Sequence, residues 1–339
     1  MANYKAAVIG LGNIGLMYDF EPQRPHPSSH VFAYNSLPMF DLVCGIDGDE
    51  GKQTVLRQVV PNAFFFTTIE EAINSGKLQN IDVVSICTPP KTHLEIIHKL
   101  LQQNIGKIIF CEKPIVSNLE EAKFLQEELE SHKDVIIIPN ISRRWNSGLA
   151  RVSEVIQSNK FGAVEKINIR YTRGIENTGA HLFDLLKMWT GQSITKVYAL
   201  SETQTSALPE PAYNFYFELD GGVTGYAEAV NDKNYYLFEI DLYLSKGKIE
   251  MRNSGDDIIY YRVSEHHLFN GFNELVVDRK DEKLLQDACM KNAIENIQNI
   301  LMGNEKSKCS IFDAIYPLYV ADSLKKSYTN KTMEEIKYV

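Results

Sequence analysis

The sequence predicts an α/β protein of two domains: a doubly wound parallel-sheet domain over residues 1–142, then an α+β domain over residues 143–339. Up to about residue 140, continuous apolar runs alternate with helical patterns, which is typical of a parallel sheet covered on both faces. Beyond residue 150, strands with period-two alternation follow one another through short turns. This pattern favours a large, open-faced, mainly antiparallel sheet.

The first domain is expected to contain six strands with helices between them. The strands are the runs at 5–10, 41–47, 63–66, 81–88, 107–112 and 135–139. Two of the intervening helices have the spacing of a capping box at their start, Thr68 with Glu71 and Ser117 with Glu120.

The second domain is expected to open with a helix and to continue as a sheet that binds substrate and forms oligomers. The helix is predicted at 148–159, and the strands at 164–173, 196–202, 214–220, 222–230, 235–245, 247–253 and 257–263. Long helical patterns at 279–303 and 310–329 close the chain, and the last could pack back on the first domain.

Composition excludes several classes of partner. The chain has 44 acidic and 35 basic residues, a net charge of -9, and no dense Lys/Arg cluster, so we expect no nucleic-acid partner. No run reaches the ~18 apolar residues of a membrane span, and none has signal-peptide character, so we expect no membrane partner and a cytoplasmic protein. The five cysteines are scattered without metal-binding spacing, which favours reduced thiols.

A glycine motif, GLGNIG, follows the first predicted strand. Gly10 would make the tight turn, Gly12 would let the backbone approach a diphosphate, and Gly15 would allow close packing of helix on sheet. Asn13 and Ile14 lie in the same turn. The context of strand, glycines and helix predicts a Rossmann site for a dinucleotide.

An acidic residue at the end of the second strand should bind the adenosine ribose, and Asp47 stands there. It lies 32 residues after Gly15, where about 20 is usual. We attribute the excess to a proline-containing loop at 18–29 that interrupts the first helix and acts either as a lid or as surface cover. Asp47 and Asp49 would repel a 2′-phosphate, so we expect NAD, with NADP less favoured.

Two further motifs stand where strands end, which is where open α/β sheets bind ligands. They are CTPPKTH at 87–93 and CEKP at 111–114. The residues expected near the cofactor from these motifs are Thr88, Pro89, His93, Glu112 and Lys113.

Together with NISRRWN at 140–146, FGAVEKINIRYTRG at 161–174 and NTGAHLFDLLKMWTG at 177–191, these motifs resemble the family of glucose–fructose oxidoreductase, inositol dehydrogenase and MocA. The resemblance implies hydride transfer between NAD and a secondary alcohol or ketone of a sugar, a sugar derivative or a nucleotide sugar. It also implies that Lys113 and His181 are catalytic. The family pattern Asp-x-Gly-x-His begins here with Asn177, which cannot supply a negative charge.

Substrate-binding residues are expected near the start of the second domain. Arginines there would suit a carboxylate or diphosphate, and aromatic residues would form walls. The candidates are Arg143, Arg144, Trp145, Tyr171, Arg173, Asn177 and His181. The run of Glu265, His266 and His267 has no third spaced ligand, so we expect a loop and no metal site.

Two other functions fit the same motifs. One is a redox-neutral sugar enzyme, of the hydrolase or epimerase type, that keeps its NAD bound. The other is a sensor that binds NAD without turnover. The aromatic-rich second sheet also predicts a homodimer or homotetramer.

Overall fold

The computed structural model describes residues 3–205 and 210–338. The chain forms two compact units. The first runs to Trp145 and includes Ala288–Ile315, and the second comprises Asn146–Asp287 and the chain from Tyr316 onward. The sequence-based boundary at 142/143 lies in the short 3-10 helix Ser142–Trp145, a few residues before the division in the structure.

The first unit contains a six-stranded parallel sheet in the order β3-β2-β1-β4-β5-β6. This is the strand order of a dinucleotide-binding α/β fold, and it confirms the predicted class. The central strands are buried along almost their whole length because helices cover both faces. The strands are β1 (Tyr4–Ile9), β2 (Phe40–Ile46), β3 (Phe64–Phe66), β4 (Val83–Ile86), β5 (Ile108–Glu112) and β6 (Ile136–Asn140).

The α-helices that lie wholly in this unit are α1 (His30–Asn35), α2 (Lys52–Val59), α3 (Ile69–Asn74), α4 (His93–Gln102), α5 (Leu119–Glu130) and α8 (Cys289–Leu301). Thr68 caps α3 as predicted, accepting a hydrogen bond from the Glu71 amide. The prediction for α5 was wrong by one residue. Asn118 is its cap and accepts from the Glu121 amide at 2.9 Å, since asparagine is as good an N-cap residue as serine.

The loop at 18–29 is a twelve-residue insertion within a helix. The N–H of His30 donates to Ile14 O at 3.1 Å, and the N–H of Val31 donates to Gly15 O at 3.0 Å. In an uninterrupted helix, residues 18 and 19 would make these two bonds. Without the insertion, Asp47 would follow Gly15 by about 20 residues, the interval that the motif demands.

The insertion is held by one buried carboxylate. Asp19 accepts hydrogen bonds from the N–H of Ser28 at 3.0 Å and of Ser29 at 2.7 Å. These bonds join its two ends, so the helix resumes where it was interrupted.

The second unit contains a nine-stranded sheet in the order β14-β13-β12-β11-β7-β10-β9-β8-β15. All neighbours are antiparallel except β7 and β10, which pair in parallel. The strands are β7 (Val164–Tyr171), β8 (Ile194–Thr203), β9 (Ala212–Leu219), β10 (Thr224–Ala229), β11 (Phe238–Leu244), β12 (Gly247–Arg252), β13 (Asp257–Glu265), β14 (Asn273–Asp281) and β15 (Glu334–Glu335).

The helices of the second unit are α6 (Ser147–Gln157) and α7 (Thr178–Thr190), and α9 (Ile311–Asn330) passes from the first unit into the second. The helix predicted at 279–303 was wrong over its first ten residues. β14 extends to Asp281 and pairs with β13, and α8 begins at Cys289. Among the helices of the described residues, none is both long and apolar enough to span a membrane.

Candidate functional site

A cavity of about 570 Å³ opens in the first unit where β1, β2 and β4 end. Its position at the carboxyl edge of a parallel sheet is where this fold class binds ligands. Seven of the residues predicted to bind the cofactor line it: Gly10, Gly12, Asn13, Ile14, Asp47, Thr88 and Pro89.

The three glycines of the motif meet different surroundings. A Cβ on Gly10, which has φ +92°, would lie 2.7 Å from the backbone carbon of Cys87, and one on Gly15 would lie 2.0 Å from Gly10 O. A Cβ on Gly12 would meet no protein atom within 4 Å. Gly10 and Gly15 are therefore needed by the fold itself, whereas the space above Gly12 is open to a ligand.

The residues after Gly10 form a short helical turn, since Leu16 N–H donates to Gly12 O at 2.9 Å. The amides of residues 12–15 precede this first helical hydrogen bond, so they have no partner within the helix. Such amides form a site for an anion such as a diphosphate.

Asp47 directly follows β2, and its carboxylate is held by main-chain amides. Oδ2 accepts from Leu11 N–H at 2.6 Å, and Oδ1 accepts from Asp49 N–H at 2.9 Å. The first bond ties the end of β2 to the glycine turn. The carboxylate is thereby placed on the cavity wall beside Gly48.

His93 lies beneath this wall and does not line the cavity. It is fully buried, and its ring bridges two main-chain oxygens, Thr88 O at 2.7 Å from Nε2 and Pro114 O at 2.8 Å from Nδ1. Because both nitrogens are engaged by the protein, His93 supports the loop and does not present its ring to a ligand.

Glu112 and Lys113 follow one another at the end of β5, and the Lys113–Pro114 peptide is cis. The Glu112 carboxylate accepts from His30 Nε2 at 2.9 Å and from Asn140 Nδ2 at 2.5 Å. The carboxylate is therefore engaged by the protein, and Lys113 is half-buried.

Three residues predicted to bind substrate have other partners. Trp145 is buried and donates from Nε1 to Asn140 Oδ1 at 2.9 Å. Arg144, 9% exposed, pairs with Asp313 at 2.9 Å. Tyr171 is buried and exchanges two hydrogen bonds with the main chain of Tyr213, and burial raises the pKa of its hydroxyl. These contacts give all three side chains packing roles within their own units.

The remaining residues predicted to bind substrate lie near the ends of helices and strands. Arg143 is half-buried in the 3-10 helix before Asn146, and Arg173 follows β7 with φ +65°. In the second unit, Asn177 precedes α7 and His181 lies half-buried in its first turns. Glu210 accepts from the amide of Asn177 at 3.0 Å, so a carboxylate from a distant loop fixes the start of α7.

The paired histidines of the second unit do have a third neighbour. Ligand atoms of His266, His267 and Glu274 lie within 4.8 Å of one another because β13 and β14 form a hairpin. However, His266 Nδ1 already accepts from the amide of Leu268 at 3.1 Å, and His267 Nδ1 bonds the Glu274 carboxylate at 2.9 Å. These hydrogen bonds in the turn between β13 and β14 explain why the three side chains lie close together.

Comparison with known proteins agrees with this geometry. Residues 4–139 match a family model described as an oxidoreductase family with an NAD-binding Rossmann fold, the glucose–fructose oxidoreductase, inositol dehydrogenase and MocA family. Residues 4–139, about two fifths of the chain, are therefore similar to the NAD-binding domain of this family. The match covers the six-stranded sheet and the cavity.

Individual relatives extend beyond that region. An uncharacterized oxidoreductase of Schizosaccharomyces pombe is 33% identical over 173 residues, 51% of this chain and 43% of that protein. The scyllo-inositol 2-dehydrogenase (NAD(+)) of Bacillus subtilis is 27% identical over 251 residues, 68% of each chain. The chain spans about half the length of the first curated relatives it matches.

Solved structures match over the whole fold. A super-repressor mutant of Gal80p from Saccharomyces cerevisiae superposes with a TM-score of 0.80 at 15% identity, covering 100% of both chains. At this identity, the likeness shows a shared fold only.

Sequence reasoning missed several residues that line the cavity. Thr67, Thr68 and Ile69 follow β3, and the rule that ligands bind where parallel strands end would have found them. Tyr18 comes from the insertion, with the Arg24 guanidinium 3.5 Å above its ring. Part of the insertion therefore forms cavity wall, which agrees with a loop near the cofactor, although Tyr18 itself was not predicted.

Proposed function

We propose that this protein is an NAD-dependent dehydrogenase acting on a secondary alcohol of a cyclic polyol, sugar or sugar derivative. One observation carries the proposal: the open space above Gly12, the helical amides and the Asp47 carboxylate border one cavity. This set of groups fits a diphosphate joined to a ribose with free hydroxyls.

The residues of the cavity fit NAD better than NADP. A 2′-phosphate on the adenosine ribose would lie against the Asp47 carboxylate, whose two oxygens are already fixed by amides. Repulsion between two anions disfavours that arrangement. When bound, the nicotinamide ring accepts or returns a hydride.

Asp47→Asn is expected to raise NADP+ affinity about tenfold and to weaken NAD+ binding, measured by calorimetric titration of both dinucleotides. Asparagine keeps an acceptor for Leu11 N–H, gives up the one for Asp49 N–H and removes the charge, so the bond between the end of β2 and the glycine turn should stay intact. Asp41→Asn, on the same strand far from the cavity, is the matched control. An unchanged preference in Asp47→Asn would contradict the assignment.

The substrate class rests on the relatives, several of which are named inositol 2-dehydrogenases. By resemblance to that family, Lys113 polarises the reacting oxygen and His181 takes the hydroxyl proton as the alcohol becomes a ketone. Asn177 cannot supply the negative charge that the family pattern places four residues before the histidine. We therefore expect His181 to work without a carboxylate at that position.

The test is NADH formation with a panel containing myo-inositol, scyllo-inositol, other cyclic polyols, simple sugars and nucleotide sugars. We expect turnover of at least one cyclic polyol or sugar, and loss of that turnover in His181→Ala. If NAD+ binds and no compound of the panel is oxidised, and the corresponding ketones are not reduced by NADH, the proposal fails.

A regulator that binds NAD without turnover is the second candidate. Asn177 favours it, and so does the shared fold with a protein named as a repressor mutant.

The redox-neutral enzyme requires NAD to remain bound through purification, which mass spectrometry of the purified protein would detect.

We further propose that the second sheet joins copies of this chain. Its open face carries ion pairs such as Arg252 with Asp241 at 2.9 Å, so most of that face is polar. An apolar stripe lies at its edge, where Val263, Leu275 and Val277 are 39%, 44% and 60% exposed. We infer that this stripe is the core of the contact.

Val277→Lys is expected to shift the particle mass toward the monomer, measured by light scattering during gel filtration. A lysine in the centre of an apolar contact must lose its hydration, which opposes association. Phe124→Lys, at an apolar position of α5 that is 47% exposed, should leave the mass unchanged. A monomeric wild-type protein at all concentrations would refute the proposed contact.

A further inference from the structure

We propose that His30 and His93 are positioning residues that hold Lys113 in place relative to the dinucleotide cavity. The proposal rests on the function proposed above, in which Lys113 takes part in proton transfer. It comes from the residues on either side of the lysine. Each is bound by a different buried histidine, and Glu112 is bound by Asn140 as well.

On the amino-terminal side of the lysine, His30 holds Glu112. Its Nε2 lies 2.9 Å from Glu112 Oε1, and its Nδ1 lies 2.9 Å from Ser85 Oγ. Ser85 Oγ is in turn 2.9 Å from the hydroxyl of Tyr34. His30, Ser85 and Tyr34 are all fully buried.

The hydrogen bonds of this chain run in one consistent direction. An ionised Glu112 only accepts, so Nε2 carries the proton and Nδ1 accepts from the Ser85 hydroxyl, which accepts from Tyr34. Burial raises the pKa of the Tyr34 hydroxyl, which keeps it a donor. Every buried polar group then has a partner, and such a fully paired network is rigid.

On the carboxyl-terminal side, His93 holds Pro114. Its Nδ1 lies 2.8 Å from Pro114 O and its Nε2 lies 2.7 Å from Thr88 O. In either neutral tautomer one of these is a donated hydrogen bond, and in the doubly protonated ring both are. His93 thus joins the segment after Lys113 to a loop whose Thr88 and Pro89 line the cavity.

His30 makes a similar connection on the other side. Its amide donates to Ile14 O in the glycine turn at 3.1 Å, while its side chain holds Glu112. Both histidines therefore join a segment of the cavity wall to a neighbour of Lys113. The twelve-residue insertion ends just before His30, so the resumed helix brings this residue to the turn.

The chemistry of amides allows a matched test of the two histidines. A glutamine amide reaches about as far as Nε2 of a histidine, and an asparagine amide about as far as Nδ1. His30→Gln should keep the contact with Glu112, whereas His30→Asn should lose it. For His93 the order reverses, because Pro114 O is bound by Nδ1: His93→Asn should keep that contact and His93→Gln should lose it.

Two measurements on these four variants need no substrate. Trace acetylation followed by mass spectrometry reports the reactivity of the Lys113 amine against pH, and calorimetry reports NAD+ binding. We expect His30→Asn and His93→Gln to shift the Lys113 reactivity profile, and His30→Gln and His93→Asn to resemble the wild type. NAD+ should bind to all four, because the amides of residues 12–15 are unchanged.

Turnover is the third measurement, made with the compound that the panel identifies. His30→Asn and His93→Gln should lower kcat about 10- to 100-fold, as expected for a misplaced reacting group, with little change in the KM for NAD+. Leu125→Ala, at a fully buried position of α5 outside this chain of hydrogen bonds, is the control for general loss of stability. It should lower the unfolding temperature and leave the Lys113 profile unchanged.

The outcomes separate the two proposals. A shifted Lys113 profile without turnover of any compound would support the positioning role and defeat the dehydrogenase proposal. Turnover by the wild type with the same Lys113 profile and kcat in all four variants would overturn the positioning role. If a variant does not fold, its partner at the other histidine still tests the same prediction.

Discussion

Lys113→Met should lower the rate of hydride transfer by about 10²- to 10⁴-fold while NAD+ still binds, because proton transfer by a placed side chain contributes this much. Methionine keeps the length and apolar stem of lysine and removes only the amine. The rate is measured as NADH formation at saturating substrate, and NAD+ binding is measured by calorimetry on the same preparation.

A second lysine serves as the control for this substitution. Lys107 stands just before β5, the strand whose far end leads to Lys113, and its exposed side chain pairs with Asp82 at 2.7 Å. Lys107→Met should change activity little, because Lys107 stands at the opposite end of β5 from Lys113. The protein should stay folded, since an exposed ion pair contributes only about 0–1 kcal/mol to the free energy of unfolding. Equal rates in Lys113→Met and the wild type would remove Lys113 from the mechanism.

Gly12→Ala should weaken NAD+ binding tenfold or more without lowering the unfolding temperature, where each tenfold step corresponds to about 1.4 kcal/mol. The added methyl group meets no protein atom within 4 Å, so the folded protein tolerates it. It occupies the space where the diphosphate must approach the main chain. Calorimetry and thermal unfolding measure the two effects separately.

Gly15→Ala is the matched comparison, because its methyl group would lie 2.0 Å from Gly10 O. Overpacking of this kind typically costs about 1–3 kcal/mol, so Gly15→Ala should lower the unfolding temperature. NAD+ binding by Gly12→Ala at wild-type affinity would show that the diphosphate lies elsewhere.

Much of the first unit could be predicted from the sequence because its strands are buried on both faces. Continuous apolar runs such as that of β4 have few other interpretations in an alternating α/β pattern. The insertion could be located because its prolines break a helix. The strand β14 was missed, although Gly271 precedes it, because its last residues are charged and run into the helical pattern that follows.

The candidate site was predictable where main-chain geometry requires a residue type. Gly10, Gly12 and Asp47 are such positions, and all three line the cavity. Trp145 and Tyr171 show the opposite case. Their polar atoms bond to groups buried within the fold, and only the packed structure shows that these side chains point inward.

His30 could not be connected with Glu112 from sequence, since 82 residues separate them. Their contact depends on the place where the interrupted helix resumes, and that place is set by the hydrogen bonds of Asp19 within the insertion. His93 was expected at the cofactor because of its motif. The structure instead engages both of its ring nitrogens with main-chain oxygens.

The most direct test is a crystal structure of the protein with NAD+. The diphosphate should lie within hydrogen-bond distance of the amides following Gly10, the adenosine ribose hydroxyls should bond Asp47, and the nicotinamide should face Lys113. A dinucleotide bound elsewhere on the first unit, or a nicotinamide turned away from Lys113, would contradict the account.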